Sequence, residues 1–168
     1  MRIKVDTDFT GLIAKGKHKN LINKELLATM DLATNEGEKE IVLKIKEKNL
    51  VGVTRHLVDG IRGKVISNIY GRVGIEGPAS VYGEVMEKGR HKGSRMPPPD
   101  ALERWIYLKV GKSKPEAKQL KFAYAKSISK KGIKGRHYFK EATKILKPKL
   151  NSLFDNLKLR LEKKLSDN

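Results

Sequence analysis

The chain contains no cysteine. Disulfides, thiolate nucleophiles and cysteine-based zinc sites are removed together. The composition fits a protein made in a reducing cytoplasm. Long apolar runs are also missing. Apolar residues make up 38% of the 168, and no window approaches the roughly 18 uninterrupted apolar residues of a membrane span. No membrane partner is expected. Residues 1–6 contain no apolar h-region and are not read as a secretory signal. One domain, over 1–168, is expected from this length.

Acidic residues are scarce. There are 19 Asp and Glu against 37 Lys and Arg, a formal net charge of +18. The excess is uneven. Residues 1–50 hold 10 basic and 8 acidic side chains, and residues 51–168 hold 27 and 11. Such a field favours nucleic acid, anionic lipid or an acidic protein surface, without choosing among them.

Groups that could carry chemistry do not converge. His18, His56, His91 and His137 show no i, i+3 or i, i+4 pairing, the spacing that places two ligands on one helix face. No metal and no cofactor are expected. There is no Gly-x-Ser-x-Gly, and Gly93-Ser94-Arg95 lies in a loop without an obvious base. The run Gly71-Arg72-Val73-Gly74-Ile75-Glu76-Gly77 lacks both the dinucleotide and the Walker spacing, so its glycines read as turns. Glu84 and Glu87 could pair for acid–base work, but a salt bridge or a cap is the simpler account. The chain is read as not an enzyme.

The pattern along the chain is α+β. Residues 1–9 alternate loosely as a strand. Leu26, Met30, Ala33, Gly37, Ile41 and Ile45 recur at three- and four-residue steps, which predicts a helix from Asn20 to Lys48, roughly 40 Å long. Asn35 and Gly37 are its weak points. From Val51 to Val85 glycines separate β-rich runs. Val65, Ser67 and Ile69, with Val73 and Ile75, suit a half-buried antiparallel sheet. Residues 88–99, with three prolines and two glycines, read as a mobile loop. Asp100 is read as the cap of a short helix bearing Leu102, Trp105 and Ile106 and closing near Gly111. Ser113-Lys114-Pro115-Glu116 is a capping box. The helix it opens carries Ala117, Leu120, Tyr124 and Ile128 on one face and ends at Gly132. A last helix holds Leu150, Leu153, Phe154, Leu157, Leu161 and Leu165, started or kinked by Pro148.

Two basic elements stand out. One is the loop with Lys88, Arg90, His91, Lys92 and Arg95. The other is Lys126, Lys130, Lys131, Lys134, Arg136 and Lys140, with Tyr124, Tyr138 and Phe139 interleaved. Basic and aromatic residues together can grip nucleic acid by phosphate contact and stacking. Lys130, Lys131, Lys134 and Arg136 are the candidate contacts to DNA or to an acidic partner.

Three blocks, in order, resemble the minor tail or tail-completion proteins of tailed bacteriophages. Tyr82-Gly83-Glu84-Val85-Met86-Glu87-Lys88-Gly89 is similar to the family's Tyr-Ala-x-x-Val-Glu-Phe-Gly element, matching at Tyr82, Glu87 and Gly89. Met96-Pro97-Pro98-Pro99-Asp100 through Ile106 resembles the proline run and short helix that many members insert. Residues 122–139 resemble the Ala-rich helix, the Gly-Ile-Lys turn at Gly132, Ile133 and Lys134, and the Arg-x-Phe entry to the last helix. Thr54-Arg55-His56-Leu57 is loosely similar to their Thr-Gly-Arg-Leu turn. The likeness spans about 54–146. Gly83 replaces the usual Ala, Lys88 the usual aromatic and Arg55 the usual Gly.

The resemblance implies an antiparallel sheet packed against the long N-terminal helix and the C-terminal helix, with the Pro-rich loop and short helices inserted. It implies a head–tail connector: a structural protein of the virion neck or upper tail, made in the host cytoplasm. Such a subunit completes viral tail assembly as an oligomeric ring, without catalysis or cofactor. Its neighbours would be tail terminator, tail-tube or head-completion (stopper) proteins, with non-specific contact to DNA in the channel. Tyr82, Glu87 and Gly89 would determine shape, and Arg136 and Phe139 the entry of the last helix. Arg90, Lys92, Arg95 and Met96 would form a docking loop that orders on assembly. The alternative from another class is a basic nucleic-acid-binding accessory protein.

Overall fold

The computed structural model describes residues 2–4, 18–50 and 55–166. In chain order these form β1 (Arg2–Lys4), α1 (Lys19–Glu47), α2 (His56–Asp59), β2 (Ile61–Ser67) and β3 (Tyr70–Ile75). A 3-10 turn (Gly77–Ala79) leads into α3 (Ser80–Lys88) and β4 (Gly89–Arg90). Then come α4 (Pro99–Trp105), a π-helical turn (Ile106–Val110), α5 (Lys114–Lys131), β5 (Ile133–Lys134) and α6 (Tyr138–Ser166). The class is α+β. The rest of the predicted first strand, Gly52 and Thr54 lie outside the described residues.

Two compact units emerge. The first joins Met1–Lys44, Ile61–Glu76 and Phe139–Asn168; the second joins Ile45–Gly60 and Gly77–Tyr138.

In the first unit α1 is the spine. Its predicted stripe is buried, with Leu26, Met30, Ala33 and Ile41 all at 2% exposure or less, and Ile22 extends it. Each such Leu or Ile is worth roughly 1.5–3 kcal/mol of burial. The helix runs unbroken through Asn35 and Gly37. Burial of the flanking turns outweighs the roughly 1 kcal/mol propensity cost of a mid-helix glycine. Strands β1, β3 and β2 form an antiparallel sheet in that order. Its inner face, with Ile61 and Val73 buried, lies on α1. Asn23 accepts from the Asn68 amide at 2.8 Å, and the Glu38 carboxylate accepts from the Gly63 N–H.

Helix α6 runs antiparallel to α1. Lys149 bonds Glu36 at 3.0 Å and also the buried Glu40, while Lys164 reaches Glu25 at 2.6 Å further along. These bonds to lysine hold the Glu36 and Glu25 carboxyls below the usual carboxylate range. Ala142, Leu146, Phe154, Leu157 and Leu161 bury its apolar stripe.

The structure corrects several expectations. Pro148 neither starts α6 nor ends it. The helix begins ten residues earlier and continues through the exposed proline. The run 64–70 is not one strand: β2 has a register shift between Val65 and Ser67, and the hairpin turns before Tyr70, so Ile69 is 47% exposed. Residues 88–99 are not wholly irregular, because Lys88 closes α3, Gly89 and Arg90 pair as β4, and Pro99 opens α4.

Gly71 and Gly63 set the spacing of sheet and helix. A Cβ on Gly71 would lie 2.7 Å from Thr34 Cγ2 and 2.8 Å from Met30 Sδ. Gly71→Ala should therefore destabilise the protein by about 1–3 kcal/mol through overpacking, read as a lower urea midpoint in circular dichroism.

Candidate functional site

The site is built in the second unit from three segments that meet backbone to backbone. Helix α3 stops because Gly89 takes φ 82°, a left-handed value open to glycine. Helix α5 is opened by the predicted capping box, Ser113 with Glu116, and stops at Gly132 with φ 75°. The two freed strands pair antiparallel, Gly89 with Lys134 and Arg90 with Ile133.

This ladder needs bare backbone. A Cβ on Gly89 would fall 2.5 Å from Gly135 N and Ile133 O, and one on Gly135 would fall 2.7 Å from the Lys88 carbonyl. The Arg136 and His137 amides then donate to the Met86 and Glu87 carbonyls at 2.8 and 3.0 Å. His137 adopts φ 51° to make that turn.

Tyr138 closes the assembly. It is fully buried, and its hydroxyl donates to the Gly83 carbonyl at 2.9 Å. Burial pushes its phenol well above the ordinary tyrosine range, with the Glu87 and Tyr82 charges adding to the effect.

The loop after β4 is tied to α5. The Gly93 amide donates to the Ser129 carbonyl at 2.8 Å, and the Ser129 hydroxyl donates to the Ser94 carbonyl at 2.5 Å. The Arg90 guanidinium donates to the Arg95 carbonyl, leaving Arg90 Nε buried without a hydrogen-bond partner.

The predicted residues are thus largely brought together. Glu87 is half-buried beside the turn, Gly89 forms the ladder, and Tyr82 is 39% exposed on α3, where partial burial pushes its phenol up. Arg136, Lys92, Arg95, Met96, Lys130, Lys131 and Lys134 are exposed. Phe139 is half-buried and belongs to the first unit. The sequence reading missed Tyr138 as the anchor, and also Gly135. Tyr138 stands between Arg136 and Phe139, within the stretch read as the Arg-x-Phe entry, and carries no periodic signal that marks it as core. Glu84 does form a salt bridge, to Lys88 at 2.7 Å, which holds its carboxyl below the usual range.

A second cluster joins α4 to α5. Asp100 does not cap α4: Pro98 holds that position, and Asp100 in the first turn accepts from Lys121 Nζ at 2.5 Å. Glu103 accepts from the same nitrogen at 2.9 Å. The buried face of α5 is therefore Ala117, Lys121 and Ala125, with Leu120, Tyr124 and Ile128 half-buried. The two carboxylates hold the Lys121 ammonium above its ordinary value. Trp105 is 47% exposed and meets Tyr124 edge-on at 5.8 Å. An open cleft of about 570 Å³ is lined by Asp100 and Glu103 with Arg104, Tyr107, Leu108 and Lys114.

Among the described residues no group of three or more His, Asp and Glu could hold a metal ion, and no helix is long and apolar enough to cross a membrane. No protein-family model, curated protein or solved structure matches the chain.

Gly89→Ala should break the β4–β5 ladder, at a cost of about 1–3 kcal/mol, and expose the Arg90 and Ile133 amides to faster hydrogen exchange. Tyr138→Phe should cost about 1 kcal/mol by removing the hydroxyl's bond to the Gly83 carbonyl. The raised phenol also makes a pH prediction. Its stabilisation is complete below the ordinary tyrosine value of 10.0. It is lost as pH rises above that value, because only the unfolded chain then ionises there. The alkaline fall in stability should be shallower in Tyr138→Phe, measured by urea unfolding across that range.

Proposed function

We propose that the chain is a non-enzymatic structural subunit of a tailed-phage particle, working in the neck or upper tail. It completes the tail or joins it to the DNA-filled head by ring assembly and docking. One observation carries this reading. Two of the three sequence blocks that resemble tail-completion proteins, 82–89 and 122–139, meet in one ladder closed by Tyr138 on Gly83. Residues that resemble a family in separate stretches thus serve one structural purpose.

The departures from the family pattern fit the same reading. Arg55 stands where the family has glycine, and its φ is 53°, the left-handed region that glycine favours. Gly83 stands where the family has alanine; it is buried and offers its carbonyl to Tyr138.

In the proposed role the ladder is the rigid base, and the loop through Arg90, Lys92, Arg95 and Met96 is the docking arm toward a tail terminator, tube or stopper protein. A ring of such subunits uses a heterologous interface, one face meeting a different face of the next copy. Half-buried Glu87 lies where α3 turns into the arm.

Deleting the gene from its phage or prophage and imaging the lysate by electron microscopy tests the role. Filled heads beside unattached or aberrant tails are expected. Intact infectious particles would refute the assignment. Glu87→Lys should lower the yield of joined particles while leaving a folded monomer by gel filtration and circular dichroism.

A further inference from the structure

The second unit holds 18 basic and 7 acidic side chains, a net of +11. Its cations are gathered by the ladder. Between Glu116 and Glu141 there is no acidic residue, and none lies between Glu87 and Asp100. The β4–β5 pairing and the Ser129 ties bring these two acid-free stretches against each other. Gly132 fits so closely that a Cβ there would collide with the backbone of Arg90, His91 and Lys92. Lys92, Arg95, Lys130, Lys131, Lys134 and Arg136 therefore fall within three residues of a shared backbone contact. All six are exposed. None forms a salt bridge among the described residues. Elsewhere Lys149, Lys164 and Lys64 in the first unit, and Lys88 and Lys112 in the second, each engage a glutamate.

We infer that this face binds the phosphate backbone of duplex nucleic acid. Lysine and arginine on loops and at a helix end, free of carboxylates, are the groups that displace counterions from a polyphosphate. Residues 88–95 and 126–137, which carry the six cations, present no exposed large hydrophobic side chain of the kind that centres a protein interface. Of the apolar residues nearby, Ile133 is half-buried in β5 and Met96, exposed next to Arg95, is a single unbranched side chain. The unit's exposed large aromatics, Tyr82, Trp105, Tyr107 and Phe122, lie on α3, α4, the π turn and the first half of α5. Base stacking is also missing. Tyr138 is fully buried, Tyr124 is half-buried against Trp105 and Phe139 is half-buried in the first unit, so the interleaved aromatics do not present a platform for single strands. A duplex read only by its phosphates needs neither.

The inference stands apart from the neck assignment and is tested on the purified chain. A labelled DNA duplex is titrated by fluorescence anisotropy between about 50 and 200 mM salt. Two variants with the same charge change are compared: Lys130→Gln/Lys131→Gln/Lys134→Gln on this face, and Lys144→Gln/Lys147→Gln/Lys158→Gln on exposed positions of α6. The first should weaken binding at least about tenfold and lower the salt slope by about three. The second should stay within about twofold of wild type on the same criterion. Equal losses in both variants would overturn the proposal, because net charge alone would then account for binding. So would displacement of the duplex by polyglutamate at equal charge concentration, which assigns the face to an acidic protein. Should the first variant lose its thermal transition, Lys92→Gln/Arg95→Gln is read in its place against the same criteria.

Discussion

At Gly89 the chain passes so close to residues 133–135 that no side chain fits, and the geometry of the second unit follows from that contact. The left-handed turn at Gly89 ends α3, the turn at Gly132 ends α5, and the two short strands pair because nothing holds them apart. Two residue pairs make a small ladder. It persists because Tyr138 is buried behind it and because the loop is tied to Ser129. The first unit uses the same device once more, where Gly71 lets the sheet approach Met30 and Thr34 on α1. In both places the missing Cβ is the structural element, and a methyl group would have to displace backbone or packed side chains rather than a flexible tip.

Charge is handled differently in the two units. Between α1 and α6, Lys149 engages both Glu36 and the buried Glu40, and Lys164 engages Glu25. Such pairs align two long helices in register more than they add stability, since partly exposed ion pairs are each worth little. In the second unit the buried Lys121 is met by two carboxylates, while Lys92, Arg95, Lys130, Lys131, Lys134 and Arg136 around the ladder are left to solvent. Unmatched charge of one sign is retained against self-repulsion, which suits a surface whose partner carries the opposite charge. The proposed neck role and a phosphate-binding face are compatible on this ground, although each stands on its own evidence.

Much of the architecture was legible residue by residue. The stripe from Leu26 to Ile45 predicted α1 to within one residue at each end, because a helix that buries one face must repeat its apolar residues at that period. The capping box at Ser113 and the glycine stops at Gly111 and Gly132 are local chemistry, and they were found where they were read. Asp100 was misread because its position suits a cap equally well, and only the approach of Lys121 from α5 decided its use. Ile69 was misread because alternation does not reveal where a hairpin turns.

The sequence by itself determined the helices, their ends, the α+β class and the sign of the charge. Each of these depends on neighbours within a few turns of chain. The tertiary structure alone decided that 82–89 meets 132–138, that Tyr138 is the anchor, and that two separate basic stretches form one face. Those facts depend on contacts between residues as far apart as Gly83 and Tyr138. No local period encodes such a contact, because its free energy appears only when the intervening helices have packed and brought the bare glycine backbones together.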